Sequence, residues 1–218
     1  MTVPVVVVGG GGHAKVVIDS LRAGGREVAG FTDSRAHADP IAGAPHLGSD
    51  AYLDSLPRTA CEVVVALGDN RLRARLIQQA RDRGFSLANA IHPTAWISPS
   101  VELGSGIAIM ANAVVNASSR VGDGAIVNTG ATVDHDCEIG AFAHLAPGTH
   151  LSGYIAVGEG ALVGVGSAVG IGRPLRVGEW AIIGTGSVVV RQVAAGSVVA
   201  GNPARTLRKA SEGGPGHE

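Results

Sequence analysis

A chain of 218 residues with 33 glycines, 45% hydrophobic residues and only 3% aromatics must build its core from small aliphatic layers. Its formal net charge of −1, without a basic run interleaved with aromatics, speaks against nucleic acid or an anionic membrane surface as partner. No apolar segment reaches membrane-spanning length, and the two cysteines, Cys61 and Cys137, have no metal-ligand spacing, so a cytoplasmic protein with reduced thiols is expected.

The chain opens without a basic leader, on a β-branched run from Val3 to Val8 that reads as a buried strand rather than a signal peptide. Helical apolar spacing follows from Ala14 to Ala23, then a second strand, Val28 to Phe31, ending at Asp33. Glu62 to Leu67 reads as another strand, Asn70 to Arg83 as a helix and Ser86 to Ala88 as a short closing strand. Right-handed crossovers between these elements give a parallel α/β unit over residues 1–88, about half of a full dinucleotide fold.

Two loops in this unit have the composition of a nucleotide site. Gly9-Gly10-Gly11-Gly12-His13-Ala14 stands at the first strand-to-helix turn, where glycines let backbone amides approach a phosphate at the positive end of the helix dipole. Gly68-Asp69-Asn70 ends the next strand, and the two mouths would lie side by side on the carboxyl edge of the sheet. Asp33 is placed to hold a ribose hydroxyl or a sugar amine. The bland alternative is a tight glycine turn, with Asp69 capping the helix that begins near Asn70.

From Ile91 to Ala168 thirteen consecutive six-residue units each open with Ile, Leu or Val. A hexapeptide period is the mark of a parallel β-helix, three units per coil and roughly 4.8 Å between coils, over residues 89–201. After Val169 the next opener is Val177, eight residues on, because Gly170 to Arg176 holds two extra residues. Arg173 and Arg176 there are candidates for coenzyme phosphates or for solvating a bulge. Residues 202–218 form a C-terminal cap and tail: Asn202 to Lys209 is helix-like in composition, with Arg205, Arg208 and Lys209, and Ser211 to Glu218 is Gly-rich and flexible in composition.

Most hexad positions are small or aliphatic, so Val133-Asp134-His135-Asp136-Cys137 breaks the local composition. Histidine titrates near neutrality and can take a proton from an attacking group, with a neighbouring carboxylate fixing its tautomer. Asp136 is adjacent, and Asp134 or a carboxylate from another subunit remains open. The alternative is an exposed corner histidine solvated by acids. His144 and His150 close the next two hexads. Flat walls with small outward side chains suit packing against copies of the same chain, with clefts between them.

These motifs, together with Ala90-Ile91-His92-Pro93, Asn128-Thr129-Gly130 and Gly201-Asn202-Pro203-Ala204-Arg205, resemble the bacterial nucleotide-sugar acetyltransferases of the left-handed β-helix class, a group containing UDP-4-amino-sugar, GDP-perosamine and sialic-acid acetyltransferases. Gly68 to Arg73 and the stretch around His135 are most similar to the GDP-perosamine enzymes. The resemblance implies a left-handed β-helix after an α/β half-Rossmann-like domain, a homotrimer, and acetyl-CoA between neighbouring prisms. It implies His135 as general base and Asp136 as its orienting acid. Gly10, Gly11, Gly12, His13, Asp33, Gly68, Asp69 and Asn70 would hold the nucleotide-linked sugar. His144, Gly153, Val165, Gly184 and Arg205 would serve the coenzyme, the Gly153 amide polarising the thioester carbonyl, and no metal is required.

The reaction so expected is direct acetyl transfer to the 4-amino group of a nucleotide-linked 4-amino-4,6-dideoxyhexose, with GDP-perosamine favoured over UDP- or dTDP-sugars. An O-acetyltransferase acting on a free sugar such as sialic acid would use the same prism and histidine. A non-catalytic β-helix scaffold is the non-enzyme alternative. A nicotinamide-linked dehydrogenase is disfavoured, since the first unit is short and supplies no hydride chemistry.

Overall fold

The computed structural model describes residues 3–170 and 174–209. Arg173 and the tail from Ser211 to Glu218 lie outside the described residues. The N-terminal unit is a three-stranded parallel sheet with β1 (Val5–Val8) between β2 (Val28–Thr32) and β3 (Glu62–Val65). Its two helices are α1 (Gly12–Ala23) and α2 (Asn70–Asp82). All four valines of β1 are buried, as expected of a strand covered on both faces. The order places the carboxyl ends of β1 and β3 side by side, and with them the two polar mouths. The expected closing strand is reduced to a single parallel bridge from Leu87 to Val63.

The rest is a parallel β-helix, as the hexad period predicts. Each unit contributes a strand of two or three residues, and partners on one wall stand 18 residues apart, for example Ile126 with His144. The first wall runs from Ala90–Ile91 through Ile126–Val127 and His144–Leu145 to Ile182–Ile183. The second carries Trp96–Ile97, Val114–Val115, Thr132–Val133, His150–Leu151, Ala168–Val169 and Val188–Val189. The third carries Glu102–Leu103, Arg120–Val121, Glu138–Ile139, Ile155–Val157 and Leu175–Val177. Openers such as Val115, Val127, Val133 and Leu145 are fully buried and stack up the axis, each burial contributing roughly 1.5–3 kcal/mol. The residue before each opener therefore points outward. At the two-residue insertion the spacing on the third wall widens, Val157 pairing with Val177.

The N-terminal unit sits on the first wall. Val5, Val17, Ile18 and Leu21 share one apolar cluster with Ala90, Ala108, Met110 and Ile126. The helix-like reading of Asn202 to Lys209 is corrected: Arg205–Lys209 is a strand, antiparallel to Ser197–Ala200 at the end of the first wall. The cause is the open edge of that wall. Backbone groups of Ser197–Ala200 need partners, and a hairpin supplies them where a helix would leave them bare.

Candidate active site

His135 stands at the corner where the second wall turns into the third. Asp134 shapes the turn by accepting the His135 backbone N–H at 2.8 Å and the Asn116 side-chain amide at 3.3 Å. Asp136 takes the left-handed conformation, φ +55°, which aspartate tolerates better than most residues. That geometry swings its carboxylate onto His135 Nδ1, with Oδ2 at 2.7 Å. Between the two adjacent acids it is thus Asp136 that meets the imidazole. The contact fixes the tautomer with the proton on Nδ1, leaving Nε2 as the acceptor.

One coil above, Gly153 makes room for the ring. A Cβ there would lie 2.7 Å from His135 Cε1 and 2.8 Å from Nε2. The Tyr154 ring meets the imidazole edge-to-face at 5.1 Å between centroids. Among the described residues the Gly153 N–H donates to no backbone or side-chain acceptor. Cys137 is buried beside this corner, its thiol directed at the carbonyls of Ser152 and His135. Burial pushes its pKa up, which suits an inert packing thiol and not a nucleophile. Burial likewise raises the Cys61 thiol, and neither cysteine is in a disulfide.

The two mouths lie on the other side of the prism. At the first, Gly10 N–H donates to Asp33 Oδ2 at 2.8 Å, and a Cβ at Gly10 would meet that same oxygen at 2.7 Å. Asp33 also pairs with Arg35. Burial alone would raise the Asp33 carboxyl, but bonds from Arg35 and Gly10 outweigh it and hold the group well below the usual carboxylate range. Asp33 thus braces the glycine loop, with His37 Nε2 at 3.6 Å. At the second mouth Asp69 caps α2, accepting from Leu72 N–H at 2.8 Å. The Asn70 amide donates across to the prism, to Gly160 and Ala161 carbonyls at 3.0 and 3.2 Å.

His13 and His144 meet between these mouths and the first wall, ring centroids 6.1 Å apart. Burial, then the nearby Arg73 charge, lowers His13 to about 4 and His144 to about 3, so both are neutral near pH 7. His144 thus faces the two glycine mouths of its own chain, its Nδ1 3.4 Å from the Gly68 carbonyl. His150 lies outward on the second wall, its Nδ1 2.9 Å from Thr132 Oγ1.

The sequence-derived site residues accordingly fall into two groups. His135, Asp136 and Gly153 share the corner between the second and third walls. Gly10, Gly11, Gly12, His13, Asp33, Gly68, Asp69, Asn70 and His144 gather beside the first wall. Val165 and Gly184 lie on turns at the corner between the first and second walls, as does Asn128, and Val165 is 48% exposed. In a triangular prism the first wall lies opposite the His135 corner, so one chain does not bring the two groups together. Arg205 is exposed on the terminal hairpin. Arg176 is outward on the third wall, beside a groove of about 480 Å³ that also holds Glu138, Glu159 and Glu179, an acidic setting for a phosphate. Sequence reasoning did not single out Arg73, fully buried in α2, or Tyr154; an arginine on the face it shares with Ile77 and Ala80 was the available signal.

No cluster of three metal-ligating side chains forms among the described residues, and no described helix is long and apolar enough to cross a membrane. The family model of the PglD N-terminal domain matches residues 4–80. Among solved structures, PerB from Caulobacter crescentus in complex with CoA and GDP-perosamine is 50% identical, with 93% of this chain and 96% of that one covered and a TM-score of 0.86. The acetyltransferase domain of PglB from Neisseria gonorrhoeae, in complex with acetyl coenzyme A, is 41% identical over 95% of this chain and 100% of that one, TM-score 0.90. WeeI from Acinetobacter baumannii is 29% identical over 94% and 100%, TM-score 0.85.

Proposed function

We infer the reaction from family membership: the chain belongs to the β-helical sugar N-acetyltransferases of the perosamine and PglB type. It is an acetyl-CoA-dependent N-acetyltransferase acting on the 4-amino group of a nucleotide-linked 4-amino-4,6-dideoxyhexose, with GDP-perosamine the favoured substrate. The observation that carries the mechanism is the 2.7 Å contact between His135 Nδ1 and Asp136 Oδ2, which assigns Nδ1 as the donor to the carboxylate and turns Nε2 toward Gly153.

In this mechanism the neutral 4-amino group attacks the thioester carbonyl while His135 Nε2 takes the amine proton. Asp136 steadies the imidazolium that forms. The carbonyl oxygen becomes an oxyanion facing the Gly153 N–H, a role worth about 2.7–4 kcal/mol. Collapse of the tetrahedral intermediate expels the coenzyme A thiolate, to which His135 returns the proton. No acyl-enzyme is required, since Cys137 is buried and its thiol pKa is raised.

The separation of the two groups within a chain supports a homotrimer. The outward row of the second wall, Trp96, Val114, Thr132, His150, Ala168 and Val188, contains no carboxylate, Lys or Arg, and Trp96 is 60% exposed. On the third wall the corresponding row includes Glu102, Arg120, Glu138 and Arg176. Charge is depleted at interface cores, so the second wall is the one to turn toward a three-fold axis. That rotation sets the His135 corner of one copy against the Asn128, Val165 and Gly184 corner of the next, behind which lie its His13, His144 and glycine mouths. The coenzyme lies in this seam. A cytoplasmic location agrees with acetyl-CoA supply and two free thiols.

The test is thiol release from acetyl-CoA with GDP-, UDP- and dTDP-linked 4-amino-4,6-dideoxyhexoses and free sialic acid, with mass analysis of the product. An alkali-stable amide on a nucleotide-linked amino sugar is expected. Release with sialic acid alone would replace N-acetyl by O-acetyl transfer.

A further inference from the structure

We propose that Arg73 is a positioning residue for the sugar-nucleotide mouth, a buried cation that ties the Gly68 loop to the prism and confronts His13 and His144 with a fixed positive charge. The assignment rests on the reading of Gly68 to Asn70 as part of that mouth.

The Arg73 guanidinium has five N–H donors and meets five backbone carbonyls. Nε donates to Gly124 at 2.8 Å, Nη1 to Leu67 at 2.9 Å and Gly68 at 3.5 Å, and Nη2 to Phe142 at 2.7 Å and Ala143 at 3.5 Å. Two of these acceptors belong to the loop and three to the prism. Among the described residues no carboxylate bonds to it, although the Asp69 charge is close enough to support its ionisation. Burying a cation this way is costly unless each donor is satisfied. The geometry satisfies each one.

A hydrogen-bond chain connects the same loop to His144. Asn128 Oδ1 accepts the Thr129 N–H at 2.8 Å, which turns Asn128 Nδ2 toward His144 Nε2 at 3.1 Å. An amide donor there requires Nε2 to be an acceptor, so the His144 proton sits on Nδ1 and points to the Gly68 carbonyl at 3.4 Å. Protonating His144 would set an N–H against the Asn128 amide and break the chain. His13 Nε2 is buried and has no hydrogen-bond partner among the described residues. Among the described residues the titratable groups near the two imidazoles are each other and Arg73, whose Nη1 shares the Gly68 carbonyl with His144 Nδ1, and the Asp69 charge lies near Arg73. Arg73 lies on their side of the equilibrium as a charge that opposes a second cation, keeping the strap intact at the pH where the enzyme works.

The experiment compares wild type, Arg73→Met and Arg73→Lys by long-range ¹H–¹⁵N NMR of the imidazoles and by KM for a GDP-linked 4-amino sugar and for acetyl-CoA, from about pH 5 to 8. In Arg73→Met the titration of at least one of His13 and His144 should move up toward this range, with burial still holding it below the free imidazole value. Its KM for the nucleotide sugar should rise roughly tenfold toward the acid end while the acetyl-CoA KM stays within about threefold. Arg73→Lys, with charge kept but three donors for five carbonyls, should leave both imidazoles neutral and raise the sugar KM several-fold at every pH. Unchanged histidine titration in Arg73→Met, or a wild-type sugar KM in Arg73→Lys, would overturn the assignment; if Arg73→Met does not fold, Arg73→Lys decides alone. Wild type that neither binds nor turns over the nucleotide sugar overturns the mouth reading instead, and an imidazole shift in that case still supports the Arg73 charge acting on His13 and His144.

Discussion

Replacing Gly153 by Ala tests the geometry of the base with one methyl group. The backbone at Gly153 does not have positive φ, so alanine fits the chain, and the N–H assigned to the oxyanion is retained. The added Cβ would lie 2.7 Å from His135 Cε1, 2.8 Å from Nε2 and 3.2 Å from Nδ1. Ordinary carbon contacts lie near 3.5–4.0 Å, so the ring must retreat by about 1 Å. Tyr154 packs on the ring and Asp136 holds Nδ1, so the retreat carries Nε2 away from the reacting amine. A displacement of that size costs about 10²-fold in rate, or ~2.7 kcal/mol on the barrier. The assay is thiol release at saturating levels of both substrates, where kcat should fall by that factor and the nucleotide-sugar KM should hardly move. A kcat within about threefold of wild type would refute the claim that the ring's position against Gly153 matters to catalysis.

Removing the base itself, His135→Ala, should lower kcat by about 10²–10⁴-fold, with nucleotide-sugar binding by calorimetry unchanged; loss of binding would mean that the corner forms part of the mouth. Asp136→Asn keeps a side chain that accepts the left-handed backbone but removes the charge, and kcat should drop by roughly tenfold because the His135–Asp136 contact is half exposed and partly screened. Stability should fall with acid. His13 and His144 have folded pKa values near 4 and 3, below the unfolded value of 6.5, so the unfolded chain binds protons first. The stabilisation is complete above about pH 6.5 and is lost as pH falls toward 4, about 2 kcal/mol per histidine by pH 5. Urea midpoints that stay level between pH 7 and 5 would contradict the buried neutral pair.

The prism was legible because its physics is periodic. An inward aliphatic every six residues admits one register, and openers from Val115 to Val163 are buried as the pattern requires. The strand at Arg205–Lys209 was not legible, since its composition suits a helix and its conformation is set by the unpaired edge of Ser197–Ala200, a partner remote from any local signal. His135 and Asp136 stood out as ionisable residues in an apolar repeat, but the choice between Asp134 and Asp136 depended on a positive φ that sequence does not display. Arg73 was hidden for a similar reason: three of its five partners are carbonyls of Gly124, Phe142 and Ala143, 51 or more positions away, and a backbone acceptor leaves no mark in the amino-acid code.

The exposure of the His135 corner bears directly on how the site is completed. With His135 and Asp136 side chains 48% and 42% exposed in a single chain, water competes for the imidazole and weakens every charge interaction there. The imidazoles of His13 and His144, by contrast, are shielded from water on the other side of the prism. A seam between copies would exclude water from the first group and deliver substrate from the second. In the proposed homotrimer, assemblies mixed from two single variants test this. His135→Ala lacks the base and Asp33→Ala lacks the brace of the glycine mouth, so each alone should be nearly inactive. In trimers formed at random from equal amounts, a sound corner meets a sound neighbouring mouth in about one seam in four. Co-refolded or co-expressed mixtures should therefore regain up to about a quarter of wild-type kcat per chain, well above either parent. If the mixture stays at the average of the two parents, the base and the mouth serve one another within a single chain, and the seam has no part in the chemistry.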